Sequence, residues 1–242
     1  MHAMNFARLA AAAVLALGTT SGWANEAVIK KAIAERLPGF KVDEARPTAM
    51  PGLWEIRTGT EVRYTDAAGN FLIEGELMDL RTKKNLTEER VTKLTAIDFA
   101  NLPLKDAVVW KTGNGKRRIA VFADPNCGYC KRFERSLQDV KDVTVYTFVI
   151  PILGPDSTEK ARAIVCAKDQ TTAWRSWMLD GAVPPKPEGK CDDTATERNL
   201  AFSRRHHING TPAILFEDGT RVPGAISAEQ VERKLQTLSG KS

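Results

Sequence analysis

Residues 117–150, RRIAVFADPNCGYCKRFERSLQDVKDVTVYTFVI, decide the fold. RRIAVFAD reads as a strand, CGYCKRFERSLQDV as a helix and VTVYTFVI as a second strand, so the stretch is a βαβ unit. Downstream, Thr158–Lys168, Thr171–Leu179 and Thr194–His207 read as helices, TPAILF (211–216) and TRVPG (220–224) as strands, and Ser227–Leu238 as a last helix. Ser227 and Gln230 have the spacing of a capping box for that helix. The order predicts an α/β layer sandwich with inserted helices.

Within the opening stretch, the strand delivers Asn126 and Cys127 to the start of a helix. Backbone N–H groups there lack intrahelical partners, and the dipole favours negative charge. This predicts that Cys127 is the low-pKa thiol and the nucleophile, with Cys130 one turn along to resolve a mixed disulfide. Lys131 and Arg132 add positive charge on what is otherwise a solvated surface. A Cys-x-x-Cys pair also fits half of a zinc site or a closed structural disulfide, but Cys166 and Cys191 are not the second close pair of a four-cysteine zinc module. Four cysteines allow three pairings, and spacing alone does not choose among them.

The compartment favours oxidation. Arg8 precedes the short apolar run Leu9–Leu17 and then TTSGWAN, the layout of a secretory leader over residues 1–24 that is cleaved after Ala24. The run is too short to span a bilayer. The formal net charge is +5, and its basic residues are not gathered into a stripe, which argues against nucleic acid as a partner. Residues 25–85 hold ten basic and ten acidic side chains.

That first segment reads as one helix, with Val28, Ile29, Ile33 and Leu37 near helical spacing, followed by an antiparallel meander within LWEIRTGTEVRYTDAAGNFLIEGELMDLRT. It is a thin core with an edge able to pair with a second copy. Leu53, Trp54, Ile56, Phe71 and Ile73 are read as core for the most part, with a cleft lining as the other option. Asn85 and Glu88 then open a connecting helix from Thr87 to about Asn101 with Val91, Leu94 and Ile97 on one stripe.

CGYC after RRIAVFADPN, AIVCAKDQ ahead of Cys191, and HHINGTPAILFEDG together resemble the DsbC/DsbG family of periplasmic disulfide isomerases and reductases, within the thioredoxin superfamily. The resemblance covers essentially the whole chain after the leader. It implies an α+β protein: a cystatin-like dimerisation domain at 25–85, a linker helix at 86–105 and a thioredoxin-like catalytic domain at 106–242. It implies Cys127 as attacking and Cys130 as resolving thiol, with Gly128, Tyr129, Thr211 and a cis Pro212 as neighbours, and Cys166 with Cys191 as a structural disulfide. No metal or organic cofactor is implied. The implied partners are a second copy of the chain, misoxidised or unfolded exported proteins, and a DsbD-like membrane reductase that restores the dithiol. Within the same resemblance stands a DsbG-like reductase of single oxidised cysteines, and from another class comes the reading of a non-catalytic dimeric chaperone whose cysteines are incidental.

Other conspicuous residues have plainer readings. His206 and His207, adjacent at a helix end, fit the helix dipole better than a ligand pair. Trp174 and Trp177 at i and i+3 read as helix-face packing, and Tyr129 as a shield or tuner of the cysteines.

Overall fold

The strand–helix–strand unit forms as β8 (Arg117–Ala123), α3 (Gly128–Ser136) and β9 (Val143–Val149), and its two strands pair in parallel from Arg117 opposite Val143 to Ala123 opposite Val149. The structure, a computed structural model, describes residues 21–187 and 189–240. Most of the expected leader, residues 1–24, therefore lies outside the described residues. The chain divides into two compact units between Leu77 and Met78.

In the larger unit, β8 and β9 join β7 (Val108–Lys111), β10 (Ala213–Phe216) and β11 (Arg221–Pro223) in a five-stranded sheet of order β11-β10-β8-β9-β7, antiparallel except for the central pair. Side-chain alternation along β8 serves both faces. Ile119, Val121 and Ala123 pack with Phe133 of α3, with Ala161 and Ile164 of α4 (Pro155–Val165), with Trp174 and Met178 of α5 (Gln170–Asp180), and with Val231 and Leu235 of α7 (Ala228–Ser239). Ala120 and Phe122 face the other way, where Phe122 stacks on Phe148 at 4.7 Å and on Phe202 of α6 (Thr194–Arg205) at 5.6 Å. Each fully buried Phe there contributes about 1.5–3 kcal/mol of burial.

Several boundaries differ from the sequence pattern for visible reasons. Helix α4 starts three residues before Thr158, because Pro155 occupies its first position with a preset φ. The connecting helix α2 (Leu86–Thr95), capped by Asn85 accepting the Glu88 N–H at 3.1 Å, stops short of Asn101; Asp98 instead caps a separate 3-10 turn at Phe99–Asn101. A two-stranded ribbon of β5 (Met78–Asp79) and β6 (Lys84–Asn85) precedes it. The capping box expected at Ser227 and Gln230 is complete.

The smaller unit sets α1 (Ser21–Arg36) against a four-stranded antiparallel sheet, β1 (Glu44–Pro47), β2 (Leu53–Thr58), β3 (Glu61–Asp66) and β4 (Leu72–Ile73). Strand β1 is too short and polar to announce itself, and Pro47 suits only an edge. Its core holds Ile29, Ile33, Ala45, Trp54 and Ile56, while Val28 and Leu37 are exposed. At Gly69, φ is +67° and an added Cβ would lie 3.0 Å from Ala32, so the β3–β4 turn packs directly on α1. Trp54 and Ile56 are core as expected, but Phe71, just before the short edge strand, and Ile73 within it are 68% and 47% exposed.

Candidate active site

Cys127 stands at the N-cap of α3, and its sulfur accepts the Cys130 backbone N–H at 3.3 Å. The same sulfur donates to the Thr211 carbonyl at 3.3 Å. Both cysteines are free thiols with little exposure, 6% for Cys127 and 3% for Cys130. Burial pushes the Cys130 thiol strongly upward, and the adjacent Cys127 adds to the effect by hydrogen bonding and charge. The two sulfurs are therefore unequal: one lies at the helix end between a donor and a carbonyl, the other is retained as a thiol in the core.

Thr211 arrives just ahead of the strand next to β8. Strand β10 pairs with β8, placing Ala213 opposite Phe122, and the Thr211–Pro212 peptide just before it is cis. The Gly224 N–H donates to the Pro212 carbonyl at 2.8 Å, fixing the turn from the β11 side. Tyr129 is 62% exposed with the Arg132 guanidinium 5.2 Å from its ring, and a side chain at Gly128 would enter open space.

The loop that carries Cys127 is held by groups that the sequence pattern did not single out. Asp124, fully buried, accepts the N–H groups of Asn126 (2.7 Å), Ile152 (2.7 Å) and Leu153 (2.9 Å) and the Ser157 hydroxyl (2.8 Å). A carboxylate ending a strand, with turn residues Pro125 and Asn126 behind it, was the available signal. The Asn126 amide donates to Asp156 at 2.6 Å, and the Trp177 indole N–H donates to the Pro125 carbonyl at 2.6 Å. Glu134, one turn beyond Cys130, is 4% exposed; it accepts the Trp174 indole N–H at 3.3 Å and lies 3.7 Å from Arg175. Burial outweighs Trp174, Arg175 and Trp110 and raises its pKa to about 7. A charge on the apolar face of a helix was its signature in the sequence.

The other marked residues lie apart from this site. Cys166 and Cys191 are joined in a disulfide with Cα atoms 5.7 Å apart, tying the end of α4 to the segment before α6. His206 packs on Phe202 at 4.3 Å, and burial followed by the charges of Arg205, Arg221 and His207 lowers its pKa. Among the described residues, no group of three or more His, Cys, Asp and Glu side chains is placed to hold a metal ion. Trp174 is fully buried with its N–H on Glu134, whereas Trp177 is only partly buried and donates to Pro125.

Known proteins resemble this chain in both units. Residues 104–239 match the family described as a thioredoxin-like domain, and residues 20–88 match the disulfide bond isomerase protein N-terminal domain. The chain is 45% identical over 207 residues to the probable thiol:disulfide interchange protein DsbC of Bordetella parapertussis, covering 86% of this chain and 73% of that protein. It belongs to the DsbC family. Against the thiol:disulfide interchange protein DsbC of Escherichia coli K12 the identity is 30% over 214 residues, covering 86% and 87% of the two chains. A crystal structure of a disulfide interchange protein from Neisseria gonorrhoeae superposes with a TM-score of 0.52 at 36% identity, covering 56% of this chain and 99% of that one. As a DsbC-family member the chain is a thiol:disulfide oxidoreductase, and its α+β make-up is that of a thioredoxin-like domain with the family's N-terminal domain.

Proposed function

We propose that the protein rearranges non-native disulfides in exported, misoxidised polypeptides, acting in the periplasm as a homodimer after removal of its leader. The Cys127 thiolate attacks a substrate disulfide: a Cys127–substrate S–S bond forms and a substrate thiolate leaves. That thiolate attacks elsewhere in the substrate until a substrate sulfur displaces Cys127, so the enzyme returns reduced and no net electrons move. If displacement fails, Cys130 loses its proton and attacks the Cys127 sulfur. The substrate then leaves reduced by two electrons, the enzyme holds a Cys127–Cys130 disulfide, and a dithiol reductant of the DsbD-like membrane type restores it.

The observation that carries this reading is the placement of Cys127 between the Cys130 N–H and the Thr211 carbonyl. The backbone next to the cis Pro212 offers an extended substrate peptide a strand-like partner beside the sulfur. Retention of Cys130 as a buried thiol delays the escape step, which favours isomerisation over simple reduction. Exposure of Phe71 and Ile73 at the β4 edge supports pairing of two copies.

Reduced protein incubated with a scrambled disulfide substrate should restore its activity. Cys127→Ala should remove that activity without unfolding the protein, while Cys130→Ala should accumulate mixed disulfides. Undiminished repair by Cys127→Ala would eliminate the assignment, and prevention of aggregation without repair by either protein would favour a dimeric chaperone.

A further inference from the structure

Trp177 has contacts that packing alone does not require. Its indole N–H meets the Pro125 carbonyl, two residues before Cys127, at 2.6 Å. Above its ring lies the Lys131 ammonium, 3.8 Å from the centroid, and the Lys160 ammonium is 4.9 Å away. Lys131 follows Cys130 directly in α3, Lys160 belongs to α4 and pairs with Asp156, and Asp156 in turn accepts from Asn126. One indole on α5 thus meets the cysteine-bearing loop, the first turns of α3 and a side chain of α4.

We infer that Trp177 is a positioning residue for the redox pair: its N–H fixes the Pro125 carbonyl, and its ring holds the Lys131 ammonium beside the start of α3. Asp124 anchors the loop from beneath and Asn126 from the α4 side; Trp177 supplies the anchor from α5. The ammonium is in an adverse place. Burial, the Lys160 charge and Arg135 all lower its pKa, and the negative ring face is the group within contact that offsets them. The ammonium so held adds positive charge to the first turns of the helix that Cys127 caps, the end at which a negative group is stabilised.

The inference rests on Cys127 being the attacking sulfur, and one experiment keeps the two claims apart. Iodoacetamide alkylation of the reduced full-length mature chain is followed across pH, and the modified cysteine is identified by peptide mass. Trp177→Phe keeps a ring under Lys131 but loses the N–H, whereas Lys131→Met removes the cation and leaves the loop anchor. Lys131→Met should move the pH midpoint of Cys127 alkylation upward and slow the reaction at pH 6 by up to about five-fold, the range of a screened charge–charge interaction near the surface. Its equilibrium with glutathione should shift toward the disulfide by a similar factor. Trp177→Phe should slow alkylation at every pH by about two- to ten-fold, the range of one hydrogen bond. Wild-type profiles and glutathione equilibria in both variants, with only a lower melting temperature, would overturn the positioning role. Alkylation of Cys130 in place of Cys127 in the wild-type protein would overturn the assignment on which it rests.

Discussion

The molecule carries two cysteine pairs with opposite designs. Cys127 and Cys130 are separated by Gly128 and Tyr129, remain thiols, and sit in a loop and helix start crowded with hydrogen bonds from Asp124, Asn126, Trp177 and Thr211. Cys166 and Cys191, 25 residues apart, are bonded, and they fasten segments to one another. In the first pair the protein restrains the sulfurs; in the second the sulfurs restrain the protein. Reactivity follows from a sulfur at a helix end with its partner held back as a thiol, and stapling follows from closing a long loop.

The largest expected effect comes from opening the staple. The double substitution Cys166→Ala, Cys191→Ala should lower unfolding free energy by about 3.5 kcal/mol in the chain-entropy treatment of a 25-residue loop, read as a shift in the urea midpoint. Exchange with a small disulfide substrate should persist in the folded fraction. Loss of exchange in fully folded protein would break the division between the pairs.

Next comes a pH effect under the redox helix. Folded Glu134 holds its proton up to about pH 7, whereas the unfolded chain releases it near the ordinary value of 4.5. Between those values the folded state binds more protons, so its stability falls as pH rises, by about 3 kcal/mol at most. Glu134→Gln should flatten the stability profile over that window. An unchanged slope in denaturant titrations would mean that Glu134 does not stay protonated in the fold.

The smallest of the three is Asp124→Asn. The amide leaves one acceptor oxygen for four donors and turns an NH2 group toward them, an expected loss of about 2 kcal/mol. Because those donors belong to the loops around Cys127, alkylation of Cys127 should change by more than the stability loss explains. Equal losses in both readouts would reduce Asp124 to general scaffolding.

Much of this was legible in the residues. The βαβ unit follows from apolar runs flanking a helical pattern, and parallel pairing of β8 with β9 follows from that order. The cap at Asn85 and the box at Ser227 were readable because short polar side chains at helix starts have one evident partner, the backbone of the next turn. What escaped was tertiary. Asp124, Glu134 and Trp177 act through partners 52 or fewer residues away that only folding brings together, and the local marks at Asp124 and Glu134 do not name those partners. Strand β1 escaped because four residues including a proline hold too little pattern. Phe71 and Ile73 sat in an alternating run that reads as core, yet β4 has only two residues, Phe71 lies just before it, and among the described residues both side chains are left exposed.

The division of labour between the two pairs is tested most directly by peptide mapping of the native protein equilibrated in a glutathione buffer and quenched by alkylation. Cys127 and Cys130 should exchange between thiol and a mutual disulfide as the buffer is varied, while the Cys166–Cys191 peptide pair stays intact. A bridge joining Cys127 or Cys130 to Cys166 or Cys191, or reduction of Cys166–Cys191 ahead of the Cys127–Cys130 pair, would contradict it.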